Sequence, residues 1–177
     1  MSGSNASGDE IRVDHGFGPV YDEDSCILIL GSFPSVKSRE QSFYYGHPQN
    51  RFWKVMAALC GQSIPDSVDG KKKFLHEQHI ALYDVIESCI IKGSSDSSIK
   101  DAEVTDLEPV LRGSCIGRRI YTNGSKAYDL YGRYTLPLTG IKAVKLPSTS
   151  PANAAFSLEK LTEIWRERIG ESYDWNN

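Results

Sequence analysis

CILILG, Cys26 to Gly31, is a continuous apolar run, partly β-branched and ended by glycine. Its lack of alternation marks a strand buried on both faces, the pattern of a central strand in a parallel sheet. Directly after it comes SFPSVKSREQSFYYGHPQN, Ser32 to Asn50, rich in hydroxyl, aromatic and amide side chains. Then NRFWKVMAALCG places Phe52, Val55, Met56 and Leu59 at helical spacing and stops at Gly61, with Asn50 at or near the helix start. The stretch therefore predicts strand, long loop, helix.

Outward from this unit, IALYDVIESCI (Ile80 to Ile90), GRRIYTNG (Gly117 to Gly124) and IKAVKLPSTSP (Ile141 to Pro151) each show an apolar core followed by turn residues. Between them lie the helical patterns VDGKKKFLHEQ, DLEPVLRGS and SKAYDLYGRY. The chain closes on SLEKLTEIWRERIG, with Leu158, Leu161, Ile164, Trp165 and Ile169 on one face. Strands alternating with helices predict an α/β fold whose mainly parallel sheet is covered on both faces, with ligands gathering beyond the carboxyl ends of the strands. That rule selects four loops: Ser32 to Gln49, Asp84 to Asp101, Asn123 to Lys126, and Pro147 to Asn153. A single domain is expected over residues 9–177, preceded by MSGSNASG, residues 1–8, as a tag or flexible tail.

With 177 residues, 40% of them apolar and 24% charged, the chain is long enough for one real core. Its formal net charge of -3 supplies no general attraction to nucleic acid or to an acidic membrane face, so such a partner must meet a local patch. Lys37, Arg39, Arg51, Lys54, Lys126 and Lys145 lie around the selected loops in sequence and would form that patch. No apolar stretch is long enough to span a bilayer and no signal-peptide pattern opens the chain, which predicts an intracellular protein. Cys26, Cys60, Cys89 and Cys115 form no C-x-x-C pair, so zinc and iron-sulfur centres are not expected and the thiols read as free. The first loop carries neither G-x-G-x-x-G nor G-x-x-x-x-G-K-[ST], which argues against a nucleotide cofactor.

What the loops do carry suits recognition of a base. Phe43, Tyr44 and Tyr45 offer an aromatic face, followed by His47, Gln49 and Asn50, which can hydrogen-bond; a pocket that stacks a base and reads its edge needs both. The same aromatics would also serve simply to pin the loop to the core. Asn123, before Gly124 at the end of a strand, either presents its amide to a base edge or makes a turn. In LPSTSPAN, Ser148, Thr149 and Ser150 suit phosphate oxygens, or ordinary turn chemistry. Asp84 and Asp96 stand near a strand end as general base or structural acceptor. His15 and His76 neighbour no other candidate group in sequence and read as incidental.

LILGSFPSVKSREQSFYYGHPQNRFW, together with NGSKA and LPSTSPANA, resembles the uracil-DNA glycosylase superfamily, most closely its hypoxanthine-DNA (deoxyinosine) glycosylase branch. The resemblance implies a three-layer α/β/α fold with a central four-stranded parallel sheet, acting on a nucleotide flipped out of DNA. It also exposes two departures: Phe33 stands where many relatives have a water-activating Asp or Asn, and Leu146 where relatives have a His or Asn. Neither side chain can polarise water or bond the departing base. Catalysis is accordingly expected from Asn50, positioning water or the base, with His47 as a supporting donor. Phe33 with Phe43 or Tyr44 would stack the base, Asn123 would read its edge, and Asp84 would support the loop or take part in recognition. Ser32, Ser35, Lys126, Ser148, Thr149 and Ser150 would hold the DNA backbone.

The activity implied is a monofunctional deoxyinosine glycosylase that leaves an abasic site, needs no metal or other cofactor, and works as a monomer on DNA in the cytoplasm, associated with the nucleoid. The alternatives are a uracil or mismatch glycosylase of the same fold, a non-catalytic damaged-DNA-binding module, and a hydrolase of free nucleosides or nucleotides.

Overall fold

The computed structural model describes residues 9–92, 99–170 and 173; the tail 1–8 and Asp96 lie outside them. Along the chain run β1 (Ile11–Asp14), β2 (Ile27–Gly31), α1 (Val36–Gln41), α2 (Phe52–Cys60), α3 (Val68–Glu77), β3 (Ile80–Asp84), β4 (Ile86–Ile91) and β5 (Lys100–Val104). They are followed by α4 (Glu108–Arg112), β6 (Ile120–Asn123), α5 (Ser125–Leu130), a π-helical turn (Tyr131–Thr135), α6 (Leu136–Thr139), β7 (Val144–Leu146) and α7 (Leu158–Gly170).

The central sheet has the order β3-β2-β6-β7, all parallel, flanked by helices as the three-layer α/β/α expectation required. Ile27 to Leu30 and Ile80 to Leu82 are wholly shielded from solvent, which is why both segments lack a polar alternate face. Register then sets the site. Gly31 pairs with Asp84, Leu30 with Thr122 and Asn123 with Leu146, so the strands bring Gly31, Asp84 and Asn123 to one edge of the sheet. Against the sheet, α7 buries Leu161, Trp165 and Ile169 completely, and its Trp165 meets Phe52 of α2 edge-on at 6.0 Å between ring centroids.

Three expectations are corrected. IALYDVIESCI is two strands, parted at Val85, whose N–H donates to Gly31 O while that of Ile86 donates to Ser32 O. The second of them, β4, belongs to a separate antiparallel sheet of order β1-β4-β5. Its flanking strands IRVD and KDAEV are mostly exposed and carry no apolar signal. The long loop after β2 contains the short helix α1, capped by the Ser35 hydroxyl, which accepts from Ser38 N. SKAYDLYGRY does not end its helix: the chain continues through the π-helical turn into α6.

Candidate active site

Beyond the carboxyl ends of the parallel strands opens a cleft of about 440 Å³, lined by the segments after β2, before α2 and after β7, together with Asp84 and Asn123.

One side is built from amides and hydroxyls that bond each other. Asn50 Oδ1 accepts from Phe52 N at 2.9 Å and from Thr149 Oγ1 at 2.8 Å. Because a backbone N–H can only donate, the atom facing Phe52 is the Asn50 oxygen, and the group left over is the Nδ2 amide, which has no protein partner among the described residues. Thr149 Oγ1 in turn accepts from Asn123 Nδ2 at 2.9 Å, and Thr149 N donates to Asn123 Oδ1 at 3.0 Å. The loop carrying Thr149 is held from behind by Arg51. Its N–H donates to Thr149 O, and its guanidinium donates to Ser150 O at 3.1 Å, Asn153 O at 2.9 Å and Phe156 O. Gly124 permits the close approach of the two loops: its φ is +96°, and a Cβ there would sit 2.9 Å from that of Ser148. His47 also lines the cleft. Its Nδ1 accepts from Gln49 N at 3.1 Å, which puts the ring proton on Nε2 and makes that atom a donor.

The other side is carried by Asp84 and Tyr45. Asp84 is buried and its Oδ2 accepts from Nε2 of His15, itself fully buried, at 2.8 Å. Gly31 makes this possible, since a Cβ on it would lie 2.3 Å from Asp84 Oδ1. Tyr45 stands at φ +53°, strained for an aromatic residue, with its ring stacked on Phe52 at 4.0 Å. Its hydroxyl is buried with no hydrogen-bond partner among the described residues. Burial first, and the charge of Asp84 second, push that hydroxyl well above the ordinary tyrosine range; the Asn123 side chain pulls the other way but does not reach hydrogen-bond geometry with it.

The site residues expected from sequence separate on this geometry. Phe33, Tyr44, Asp84, Asn123, His47 and Asn50 all line the cleft. Phe43 does not: it is buried against Trp53, ring on ring at 6.0 Å, and is unavailable to a base. Tyr44 is anchored by donating its hydroxyl to Gly18 O at 2.8 Å. Thr149 is also corrected. It is wholly buried with its hydroxyl committed to Asn50 and Asn123, so it links two amides and cannot reach a phosphate. Asn123 has both ends of its amide engaged by Thr149, which makes it a support of that link before it is a reader of bases.

Ser148 and Ser150 line the cleft and accept from Ser150 N and Ala152 N, so their O–H groups remain to donate. Ser32 and Ser35 also line it, Ser35 exposed and spending its hydroxyl on Ser38. Lys126 is exposed on α5 outside the lining. Arg51 belongs to the loop clamp and not to a basic surface. Leu146 is wholly buried outside the lining. His15, which the sequence left without a neighbour, is the partner of Asp84, and Tyr45 gains a place of its own beside it. Among the described residues no three His, Cys, Asp or Glu side chains gather where a metal ion could sit.

A parallel sheet with this cleft, and with Asn50 presented from HPQNRFW, agrees with what comparison with known proteins finds. Residues 19–168 match the uracil DNA glycosylase superfamily, and the chain belongs to that family. It is 38% identical to a hypoxanthine DNA glycosylase of Methanosarcina acetivorans over 85% of this chain and 95% of that protein. To a hypoxanthine DNA glycosylase of Methanosarcina barkeri it is 32% identical, over 86% of this chain and 95% of the relative. In structure it is similar to a Methanosarcina acetivorans protein solved by solution NMR, itself described only as a proposed uracil DNA glycosylase, with a TM-score of 0.71 and 35% identity over 89% of this chain and 98% of that one.

Proposed function

We propose that this protein is a DNA glycosylase that hydrolyses the N-glycosidic bond of hypoxanthine flipped out of DNA, leaving an abasic site. The observation that carries the reading is Asn50, fixed at the start of α2 with only its amide donor left over, in a chain whose relatives are hypoxanthine DNA glycosylases. Breaking the bond builds positive charge on the sugar and negative charge on the departing base, and groups aimed at that charge lower the barrier. Asn50 Nδ2 and His47 Nε2 are both donors, suited to the departing purine or to the oxygen of the attacking water. Neither acts as a strong base, so the reaction depends on stabilising the leaving group. Phe33 and Tyr44 flank the base, Asn123 supports Thr149 and Asn50, and Ser32, Ser148, Ser150 and Lys126 bear on the DNA backbone, while Ser35, expected there too, is committed to capping α1.

The same reading has the enzyme work as a monomer on nucleoid DNA in the cytoplasm. No helix among the described residues is long and apolar enough to cross a membrane.

Labelled duplexes, each with one hypoxanthine, uracil or mismatched thymine, test the proposal by alkaline strand scission at abasic sites. Scission at hypoxanthine in preference to the others is expected. Preference for uracil or mismatched thymine would make it a uracil or mismatch enzyme of the same fold, and tight binding without scission would make it a recognition module.

A further inference from the structure

Two polar atoms in the cleft are left over by this chemistry. Asp84 Oδ1 and Tyr45 Oη converge on one point: they lie 2.3 Å and 3.2 Å from the place a Cβ on Gly31 would occupy. The Tyr45 hydroxyl is buried without a partner among the described residues, and the Asp84 carboxylate, on the wall of the same cleft, has only its Oδ2 engaged, by His15. Buried polar groups are almost always paired, so the orphaned Tyr45 hydroxyl, beside a carboxylate on the cleft wall that has only Oδ2 engaged, marks bonds that a ligand completes. His15 determines which carboxylate oxygen is available. A carboxylate only accepts, so His15 Nε2 carries the hydrogen and holds Oδ2. The imidazole is itself fixed among Phe17, Phe33, Tyr44 and Tyr83, with ring centroids 4.4 to 6.3 Å away.

We propose that Asp84 and Tyr45, with His15 as the residue that positions Asp84, read the lactam edge of the flipped base; this rests on the glycosylase reading above. In hypoxanthine the N1–H donor stands beside the O6 acceptor, and Asp84 Oδ1 accepts from N1–H while Tyr45 donates to O6. Adenine presents the reverse, an N1 acceptor beside an amino donor, so its N1 lone pair would face the carboxylate. Uracil and cytosine differ in the same sense. The pair therefore accepts the N–H beside a carbonyl that deamination creates from adenine and cytosine, and rejects those two parents. The raised Tyr45 hydroxyl stays a donor throughout the working pH range.

The experiment pairs protein variants with a substrate that lacks one atom. Single-turnover excision is measured for hypoxanthine and for 1-deazahypoxanthine, in which N1–H is replaced by C–H, by wild type, Asp84→Asn, Tyr45→Phe, His15→Gln and His15→Leu. Thermal unfolding of each variant is followed in parallel. In wild type the deaza base is expected to leave at least about 100-fold more slowly, since a site built around a donor rejects an analogue lacking it. In Asp84→Asn, whose oxygen turns to His15 and whose amide turns to the cleft, that gap shrinks to within about threefold. Any change in leaving ability caused by the deaza atom cancels between the two proteins. Tyr45→Phe slows hypoxanthine by about tenfold and leaves the gap intact, because it acts on O6. His15→Gln, which keeps a donor, preserves the gap while His15→Leu narrows it. A gap of the same size in Asp84→Asn as in wild type overturns the inference and makes Asp84 a support or a base, with the glycosylase reading untouched. Failure of wild type to release hypoxanthine at all overturns both together.

Discussion

The two sides of the cleft are made differently. Along Asn123, Thr149 and Asn50, nearly every polar atom has a protein partner, and the single amide left over is Asn50 Nδ2. Around Gly31, the buried Tyr45 hydroxyl stands with none among the described residues, beside an Asp84 carboxylate that has only its Oδ2 engaged, by His15. The difference teaches how to separate support from action in a site without a bound ligand: partnered groups fix geometry, and the few leftover groups meet the substrate.

Substitutions sharpen or break that contrast. The largest effect is expected from Asn50→Ala, which removes the leftover donor. Excision of hypoxanthine should fall about 100- to 1,000-fold, the loss typical of one donor to developing charge, while duplex affinity in a gel-shift titration changes little. Thr149→Val keeps shape but leaves Asn123 Nδ2 unpaired and Asn50 held only by Phe52 N. About 1–3 kcal/mol of stability should be lost in urea unfolding, with excision down roughly tenfold, because a support has been removed and no reacting group. If Thr149→Val costs as much activity as Asn50→Ala, the distinction between the two kinds of residue fails. Ser148→Ala with Ser150→Ala should weaken duplex binding only a few-fold, about 0.5–1.5 kcal/mol, and leave the bound-state rate alone.

The smallest effect concerns pH. The Tyr45 hydroxyl is raised by burial, so the folded protein holds this proton more tightly than the unfolded chain, and stability falls as pH rises past the unfolded value of about 10. Tyr45→Phe should remove up to one proton from that slope in thermal unfolding. A slope unchanged by the substitution would mean that the hydroxyl is not shielded as described.

How far these roles could be read from sequence depends on distance along the chain. The unit around CILILG was legible because a doubly buried strand has no polar face and because Phe52, Val55, Met56 and Leu59 repeat at one helical face; Asn50 at the helix start came with it. The break at Val85 was hidden, since β3 and β4 are both largely buried and the apolar run continues across it. His15 and Asp84 are 69 residues apart and meet only because β1 is drawn alongside β4, and β1 is an exposed polar strand without a pattern. In FYYGHPQN, which aromatic faces the cleft is decided by the left-handed backbone at Tyr45 and by the stacking of Phe43 on Trp53, neither of which composition reveals. Thr149 looked like any loop hydroxyl until its partners, 26 and 99 residues away, were in place.

The most direct measurement is the identity of the product released by wild type from a duplex with a single hypoxanthine, followed by mass spectrometry of the free base and by counting abasic sites. Free hypoxanthine in amount equal to the abasic sites is the result expected. A nicked strand without free base, or a duplex bound and left intact, would contradict the account.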